Sequence, residues 1–463
     1  MAIKNILIEV EIVTSLKRLT GQLIFLLLLF TNSTIMIICI GRSNNYEPSL
    51  KVNSLDSRNS FFDSQSVIHH NSQNFTGSMD VTVYTNPDCA QSQTISYIDS
   101  ASTELCIEIY SISSKYIMDA LHRAVSRGVE LYLIASWKQA SGAEYSYTRA
   151  ALYNLSQISD PDVYLFLSSS SDFEFQHAKF MVIDQQIVVI QSGNFAKSSL
   201  SPNPSSGNRE WFTAVNDAAV AGWYYNVFQD DMVNAEFYTP DSGDEETFSY
   251  DSSGSSYSHP FSATTFNEAM TIQTVLSPDN DVSVISHLIQ SAKYSIDIQQ
   301  MYIKADWDGS SNTFVDELIN AVNRGVEVRV NIDPDGSGVE EIVPILLAGG
   351  IEVSYSPDVG GYFNWNHNKG IIIDAGHSKA AVLVSSINWS FESTHENREA
   401  GIIFYNQHIA DWFENVFQND WDNSELLDNS QTDTFTTSAI SFGLAVMVVT
   451  TLTFLMLVGK KQK

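Results

Sequence analysis

Two stretches of the 463-residue chain run through the same order of apolar and polar positions. In each, helical spacing (Ile95, Ile98; Val284, Leu288) precedes a short apolar run, CIEIYSI or SIDIQQM, that reads as a strand. A second helical pattern follows (Ile117 to Val125; Phe314 to Val322) and closes at Gly128 and Gly325, where a left-handed residue is needed. β-rich runs come next, VELYLIAS and VEVRVNID. Helix and strand alternate, so each half reads as α/β: a mixed β-sheet flanked by helices, with two homologous halves packed as one pseudo-twofold unit.

The halves are also related in sequence. AVSRGVELYLI (124–134) recurs as AVNRGVEVRVNI (321–332), and HAKFMVID (177–184) as HNKGIIID (367–374). Asn208-Arg209-Glu210 recurs as Asn397-Arg398-Glu399, and WYYNVFQDD (223–231) as WFENVFQND (412–420). The last three offsets are 190, 189 and 189 residues, a collinearity that marks a duplication. The expected organisation is a first half over 79–235 and a second over 264–422. An acidic, Ser/Gly-rich linker joins them over 236–263, with polar stalks at 43–78 and 423–437.

The ends are apolar. Residues 21–41 follow Lys17 and Arg18, and Thr31-Asn32-Ser33-Thr34 interrupts them. Residues 1–42 are therefore read as a signal peptide or a membrane anchor, with cleavage open. Residues 438–458 carry no charge and precede Lys460, Lys461 and Lys463, the pattern of a transmembrane helix with a basic tail at 459–463. Together these ends place the protein in a cell membrane, the catalytic region extracytoplasmic and the tail cytoplasmic.

Composition narrows the partners. With 24 basic against 54 acidic residues the formal net charge is −30, the reverse of what phosphate neutralisation on duplex nucleic acid requires. Three cysteines argue against a disulfide-rich scaffold and a cysteine zinc cluster; Cys89 and Cys106 either pair or stay as thiols. No metal or cofactor is expected, no obligate protein partner is evident, and the oligomeric state is not legible.

The chemistry lies in a doubled His-x-Lys-x4-Asp pattern: His177, Lys179, Asp184 and His367, Lys369, Asp374. Both copies lie in extended, apolar segments, where residues two apart share a face, so His and Lys project together. Asp184 and Asp374 are counted with the catalytic residues as members of the pattern, although five beyond Lys each faces the other side and reads as support. Lysine supplies charge for phosphoryl oxygens; one imidazole attacks phosphorus and a second protonates the leaving oxygen. One half supplies one histidine, so a shared site between halves is required. Glu210 and Glu399 follow their histidines by 33 and 32 residues and suit the distal imidazole nitrogen. Ser192, Asn194, Ser386 and Asn388 suit phosphate oxygens. Phe173, Phe175, Tyr362, Phe363 and Trp365 precede the motifs and suit an acyl-proximal pocket, core or base stacking.

At these residues the chain resembles the phospholipase D superfamily, which is defined by the doubled HKD motif, and is similar to small prokaryotic phospholipase D and cardiolipin hydrolase or nuclease relatives. The resemblance covers about 79–422. It implies one α/β unit with the site between the halves and a phosphohistidine intermediate, with His177 as nucleophile and His367 as general acid, then base, or the reverse. It implies phosphate binding by Lys179, Lys369, Asn194 and Asn388, and orientation of the histidines by Glu210 and Glu399. The family's Gly-Ser-x-Asn segment departs here to Gln191-Ser192-Gly193-Asn194 and Ser385-Ser386-Ile387-Asn388. The expected activity is phospholipid phosphodiester hydrolysis at a membrane. The alternatives are a nuclease, a phosphatidyltransferase and, last, an anchored binding module without activity.

Overall fold

The apolar run after each His-x-Lys pair is buried on both faces. Phe180 and Val182 enter one core while Met181 and Ile183 enter another. Ile372 parts from Ile371 and Ile373 in the same way. Period-2 alternation therefore feeds two cores from one strand, which is why the runs are apolar at every position.

The computed structural model describes residues 26–31, 34–39, 67–158, 162–202, 207–245, 257–357 and 363–428. The chain divides into two units, residues 1–63 and 64–463. The first contains an antiparallel hairpin of β1 (Leu26–Thr31) and β2 (Thr34–Cys39), in register from Leu26↔Cys39 to Thr31↔Thr34. This differs from a membrane-spanning helix, one of the two readings given for 21–41. The run is cut at the polar Thr31–Thr34 interruption into two six-residue strands, each about 20 Å long. Among the described residues no helix is long and apolar enough to cross a membrane. The expected membrane localisation, with a cytoplasmic tail, is overturned on that finding; residues 438–458 lie outside the described residues.

The second unit carries the repeats. The first half runs β3 (Asn74–Asn86), α1 (Ala90–Ser100), β4 (Glu104–Ile109), α2 (Lys115–Ser126), β5 (Glu130–Ala135), α3 (Gly142–Ser156), β6 (Val163–Leu167), β7 (Phe180–Ile183), β8 (Ile187–Gln191), β9 (Glu210–Asn216), α4 (Ala218–Asn234) and β10 (Glu236–Phe237). The second runs β11 (Thr264–Ser277), α5 (Asp281–Ser291), β12 (Ser295–Gln300), β13 (Asp306–Trp307), β14 (Ser310–Ser311), α6 (Thr313–Asn323), β15 (Glu327–Ile332), α7 (Val339–Ala348), β16 (Glu352–Tyr355), β17 (Lys369–Ile373), β18 (Ala381–Ser385), α8 (Phe391–His395), β19 (Glu399–Tyr405), α9 (Gln407–Asp422) and β20 (Glu425–Leu426). Gly128 and Gly325 adopt φ of 87° and 89° and end α2 and α6 as the spacing implies. In both places the glycine amide and the next amide turn back onto the last helical carbonyls.

Sixteen strands form one mixed sheet, in the order β10-β6-β5-β4-β7-β8-β9-β3-β11-β19-β18-β17-β12-β15-β16-β20. Read outward from the antiparallel β3–β11 pair, the two sides correspond strand for strand. The mixed α/β fold of two homologous halves is the one the alternation implies. One core is common to both halves: Val220, Tyr224 and Phe228 of α4 meet Ile409, Phe413 and Phe417 of α9 and the inner faces of both sheet halves. The outer helices cover the other faces, α1, α2 and α3 on the first half and α5, α6 and α7 on the second.

Segments read as polar connectors take part in the sheet. β3 begins at Asn74, within 43–78; β10 lies in the 236–263 stretch and β20 in 423–437. These pieces pair by backbone while keeping one or both side-chain faces exposed, so they lack an apolar period. Cys89 and Cys106 are both free thiols. Cys106 is sealed in β4, and burial pushes its thiol far up.

Candidate active site

Each His-x-Lys pair reaches the site through an extended segment hydrogen-bonded to the opposite half. The His177 amide donates to Arg398 O at 2.8 Å, and the Arg398 amide to Phe175 O at 3.0 Å. In mirror fashion, the His367 amide donates to Arg209 O at 3.1 Å, and the Arg209 amide to Trp365 O at 2.8 Å. The Asn-Arg-Glu repeats therefore do not serve the histidine of their own half.

The glutamates cross as well. His177 Nδ1 lies 2.7 and 2.8 Å from the Glu399 carboxylate oxygens, and His367 Nδ1 lies 2.8 Å from Glu210 Oε1. Both glutamate side chains are fully buried, and both histidine side chains are 14% exposed. With Nδ1 of each ring set against a carboxylate, Nε2 is the nitrogen left for a substrate. Pairing each glutamate with the histidine 32 or 33 residues before it, as sequence distance invites, is replaced by the crossed arrangement. β9 and β19 lie next to the β3–β11 seam, so residues at their first positions reach across it.

Ser192 and Ser386 sit beneath these carboxylates. Ser192 Oγ donates to Glu210 Oε2 and accepts from the Trp211 amide; Ser386 Oγ donates to Glu399 Oε2 and accepts from the Ala400 amide. This corrects their expected role on phosphate, because a hydroxyl has one proton and both are already given to glutamate. Ser199 adds a second bond to Glu210, at 2.6 Å. Gly193, the glycine displaced from the family's usual position, gives that carboxylate its room: a Cβ there would lie 3.0 Å from Glu210 Cδ. Asn194 and Asn388 are buried, and the Oδ1 atom of each has no partner among the described residues. Two symmetry-related amide oxygens without a partner suit a polar ligand.

Lys179 Nζ donates to His177 O at 2.7 Å, and Lys369 Nζ donates to His367 O. Burial, partly offset by the glutamates, brings Lys179 down to about 7 and Lys369 to about 8. Burial, then the lysine charges, pushes the His177 imidazole well below its ordinary value. His367 is lowered too, by burial, against the pull of Glu210. Burial raises Glu399 to about 7, whereas for Glu210 the His367 charge and hydrogen bond, with Lys369 and Ser192, outweigh burial and hold it low. Burial thus works against charge on both His177 and Glu399, whereas Glu210 is held as the carboxylate that supports a proton on His367. No group of three or more metal-ligating side chains occurs among the described residues.

Asp184 and Asp374, included with the catalytic residues from sequence, do not reach the site. They lie at the far end of the strand from Lys179 and Lys369, roughly 16 Å away by strand rise. Asp184 accepts from the amides of Ser102, Thr103 and Glu104, and Asp374 from those of Lys293, Tyr294 and Ser295. Both adopt positive φ, 51° and 52°, at the turn that follows. Asp184→Ala is expected to cost about 1–3 kcal/mol by orphaning those amides, while kcat of the folded variant stays within twofold. Thermal unfolding and kinetics on one preparation check this; a selective loss of kcat at unchanged stability would contradict it.

Two residues between Asn and Glu were not assigned a role from sequence. Arg209 is completely buried and donates to Asp420 at 2.7 and 2.9 Å and to Asp88 at 2.8 Å. Arg398 is equally buried and donates to Asp231 at 2.8 Å and Asp279 at 3.0 Å. Asp231 and Asp420 end the two repeated WYYNVFQDD and WFENVFQND segments, so the two repeats are partners across the seam. Phe173 stacks under Arg398 and Phe363 under Arg209, with guanidinium-to-centroid distances of 4.2 and 4.4 Å. Neither lines an acyl pocket. Trp365 is 40% exposed; Tyr362 lies outside the described residues.

The family model described as "Cardiolipin synthase, PLD-like domain" matches residues 94–232 and 285–421, more than half of the chain. The chain belongs to this PLD-like family of the phospholipase D superfamily, whose members are phosphodiester-acting enzymes. No curated protein matches it. Among solved structures, the phosphatidylserine synthase of Haemophilus influenzae Rd KW20 is similar at 14% identity and TM-score 0.55, over 79% of this chain and 93% of that one. The phospholipase D family member Nuc from Salmonella typhimurium shares 25% identity over 34% of this chain and 97% of its own, with TM-score 0.29. The polyphosphate kinase of Porphyromonas gingivalis shares 12% over 75% and 50%, with TM-score 0.47.

Proposed function

We propose that the protein is a phosphodiesterase of phospholipase D type that hydrolyses a phospholipid through a phosphohistidine on His177. The observation that carries this is the pair of imidazoles, one from each half, each with Nδ1 on a buried carboxylate of the other half. His177 Nε2 attacks phosphorus, and the bond to the leaving alcohol breaks as His367 Nε2–H gives that oxygen its proton. Water then attacks phosphorus, His367 takes its proton, and the P–N bond breaks to restore His177. Lys179 and Lys369, with Asn194 and Asn388, bind the non-bridging oxygens throughout. The family description and the strongly acidic chain favour a phospholipid over a polyanionic nucleic acid.

The test is a substrate panel on the purified protein: bis-p-nitrophenyl phosphate, then phosphatidylcholine, phosphatidylglycerol and cardiolipin in mixed micelles, then single-stranded DNA, each with and without glycerol as acceptor. Turnover of the diester and of phospholipid is expected. Cleavage of DNA alone would make the protein a nuclease, glycerol transfer in place of hydrolysis a phosphatidyltransferase, and no turnover by folded protein a binding module.

The free-enzyme pH profile is set by the lysines. They must be charged to hold the phosphodiester, so kcat/KM is expected to fall as pH rises through about 7 to 8. Bound phosphate favours the charged form, so the alkaline limb of kcat lies at higher pH. Profiles of both constants with bis-p-nitrophenyl phosphate check this; kcat/KM flat to pH 10 would contradict it.

A further inference from the structure

The two lobes are equivalent in backbone, yet the residues that follow β4 and β12 differ. The β4–β7 and β12–β17 registers set Tyr110, just past β4, against Met301, just past β12. Tyr110 stands edge-on to the His177 imidazole with centroids 4.8 Å apart, and edge-on to Phe175 at 5.8 Å. Lys179 Nζ lies 5.5 Å from the same ring. The Tyr110 hydroxyl is tied down in turn by the Ala140 amide, and its carbonyl accepts from Gln139 at 3.0 Å. In the other lobe Met301 offers only a thioether, its Sδ 3.9 Å from Lys369 Nζ.

The difference matches a difference in task. A nucleophile needs one fixed line of approach to phosphorus, and small misplacement is costly. A general acid that later acts as base serves two oxygens in turn, the leaving alcohol and the incoming water. A rigid aromatic ring suits the first task. A flexible, polarisable side chain with three rotatable bonds suits the second.

We infer that Tyr110 is a positioning residue that breaks the pseudo-twofold symmetry of the site: it locks the His177 imidazole for attack, while Met301 leaves the His367 imidazole free to exchange partners. The inference rests on the phosphohistidine mechanism proposed above and adds what decides between the two histidines. A substrate therefore has one productive orientation, with its leaving alcohol on the Met301 side.

The experiment quenches full-length enzyme in alkaline denaturant during turnover of bis-p-nitrophenyl phosphate and maps phosphohistidine by mass spectrometry. The proteins are the wild type, Tyr110→Met, Tyr110→Leu and Tyr110→Phe, with folding checked by circular dichroism. The wild type is expected to carry the phosphoryl group, still bearing one nitrophenyl ester, on His177 alone. Tyr110→Met and Tyr110→Leu are expected to carry it on both histidines, with the burst rate down about 10- to 100-fold. Tyr110→Phe, which keeps the ring, is expected to label like the wild type. Label on His367 in the wild type overturns the inference and leaves the phosphohistidine mechanism standing. So does label confined to His177 at an unchanged burst rate in a folded Tyr110→Met or Tyr110→Leu protein, or label on both histidines in Tyr110→Phe. Absence of label from both histidines of an active wild type removes the mechanism and the inference together. The wild-type result alone is decisive against the inference even where a variant fails to fold.

Discussion

Replacing His177 with asparagine is expected to lower turnover of bis-p-nitrophenyl phosphate by about 10⁴-fold or more and to leave no burst. His367→Asn is expected to behave differently. The p-nitrophenolate ion leaves without a proton, so loss of the general acid does not stop the first bond from breaking. The phosphohistidine then waits for a base that is no longer present. The His367 variant should therefore release one equivalent of p-nitrophenolate per chain rapidly and then stall. With a phospholipid, whose alkoxide needs the proton, both variants should be inactive in the first step. Rapid-quench measurement of nitrophenolate against time separates the cases. A His177→Asn protein with near-normal turnover would remove that residue from the nucleophile role, and a burst in His177→Asn but not in His367→Asn would exchange the two roles.

The second large effect is structural. Arg398 has no exposed surface and balances Asp231 and Asp279, with Glu108 close enough for Arg398 to offset part of the rise that burial imposes on that carboxyl. Arg398→Ala leaves these carboxylates buried without a cation, which costs about 3–5 kcal/mol. Against a total stability of about 5–15 kcal/mol that is a large share. The thermal midpoint is expected to fall by roughly 4–6 °C, because a unit of this size has a large unfolding entropy. Arg398→Lys restores charge but not the fork that reaches both aspartates, so it is expected to recover part of the loss. Activity should fall with stability, because the Arg398 carbonyl holds the His177 amide and the next residue is Glu399. A midpoint within 2 °C of the wild type in Arg398→Ala would show that the clasp adds nothing.

Much of this arrangement was written in the repeats. Two cores fed by one apolar strand, the glycine stops of α2 and α6, and the projection of His177 with Lys179 and of His367 with Lys369 follow from spacing alone. The crossing does not, because spacing within a half says nothing about which half a side chain meets. Sequence distance pointed Glu210 towards His177, yet the β3–β11 seam brings it to His367. A signal was present: Arg209, Arg398, Asp231 and Asp420 repeat at nearly the same offset as the motifs, and buried arginines need carboxylate partners. The HKD pattern treats its aspartate as one with the histidine and lysine, whereas the strand places Asp184 and Asp374 at the opposite end, holding backbone amides. The apolar run at 21–41 was long enough for a helix but divided at Thr31–Thr34, and the described pieces pair as a hairpin. Tyr110 and Met301 escaped notice because they sit towards the ends of CIEIYSI and SIDIQQM, runs that were read only as strands.

The crossed site gives one decisive measurement: the burst rate in the His367→Asn background with a second substitution at one glutamate. Glu399, from the second half, holds His177 of the first. Glu399→Gln is therefore expected to slow phosphorylation of His177 by about 10²-fold or more, through loss of the anion that fixes the tautomer. Glu210→Gln, in the same half as His177, is expected to leave the burst rate within a few-fold. The opposite result, with Glu210 controlling the burst and Glu399 indifferent, would mean that each half serves its own histidine and that no shared site exists.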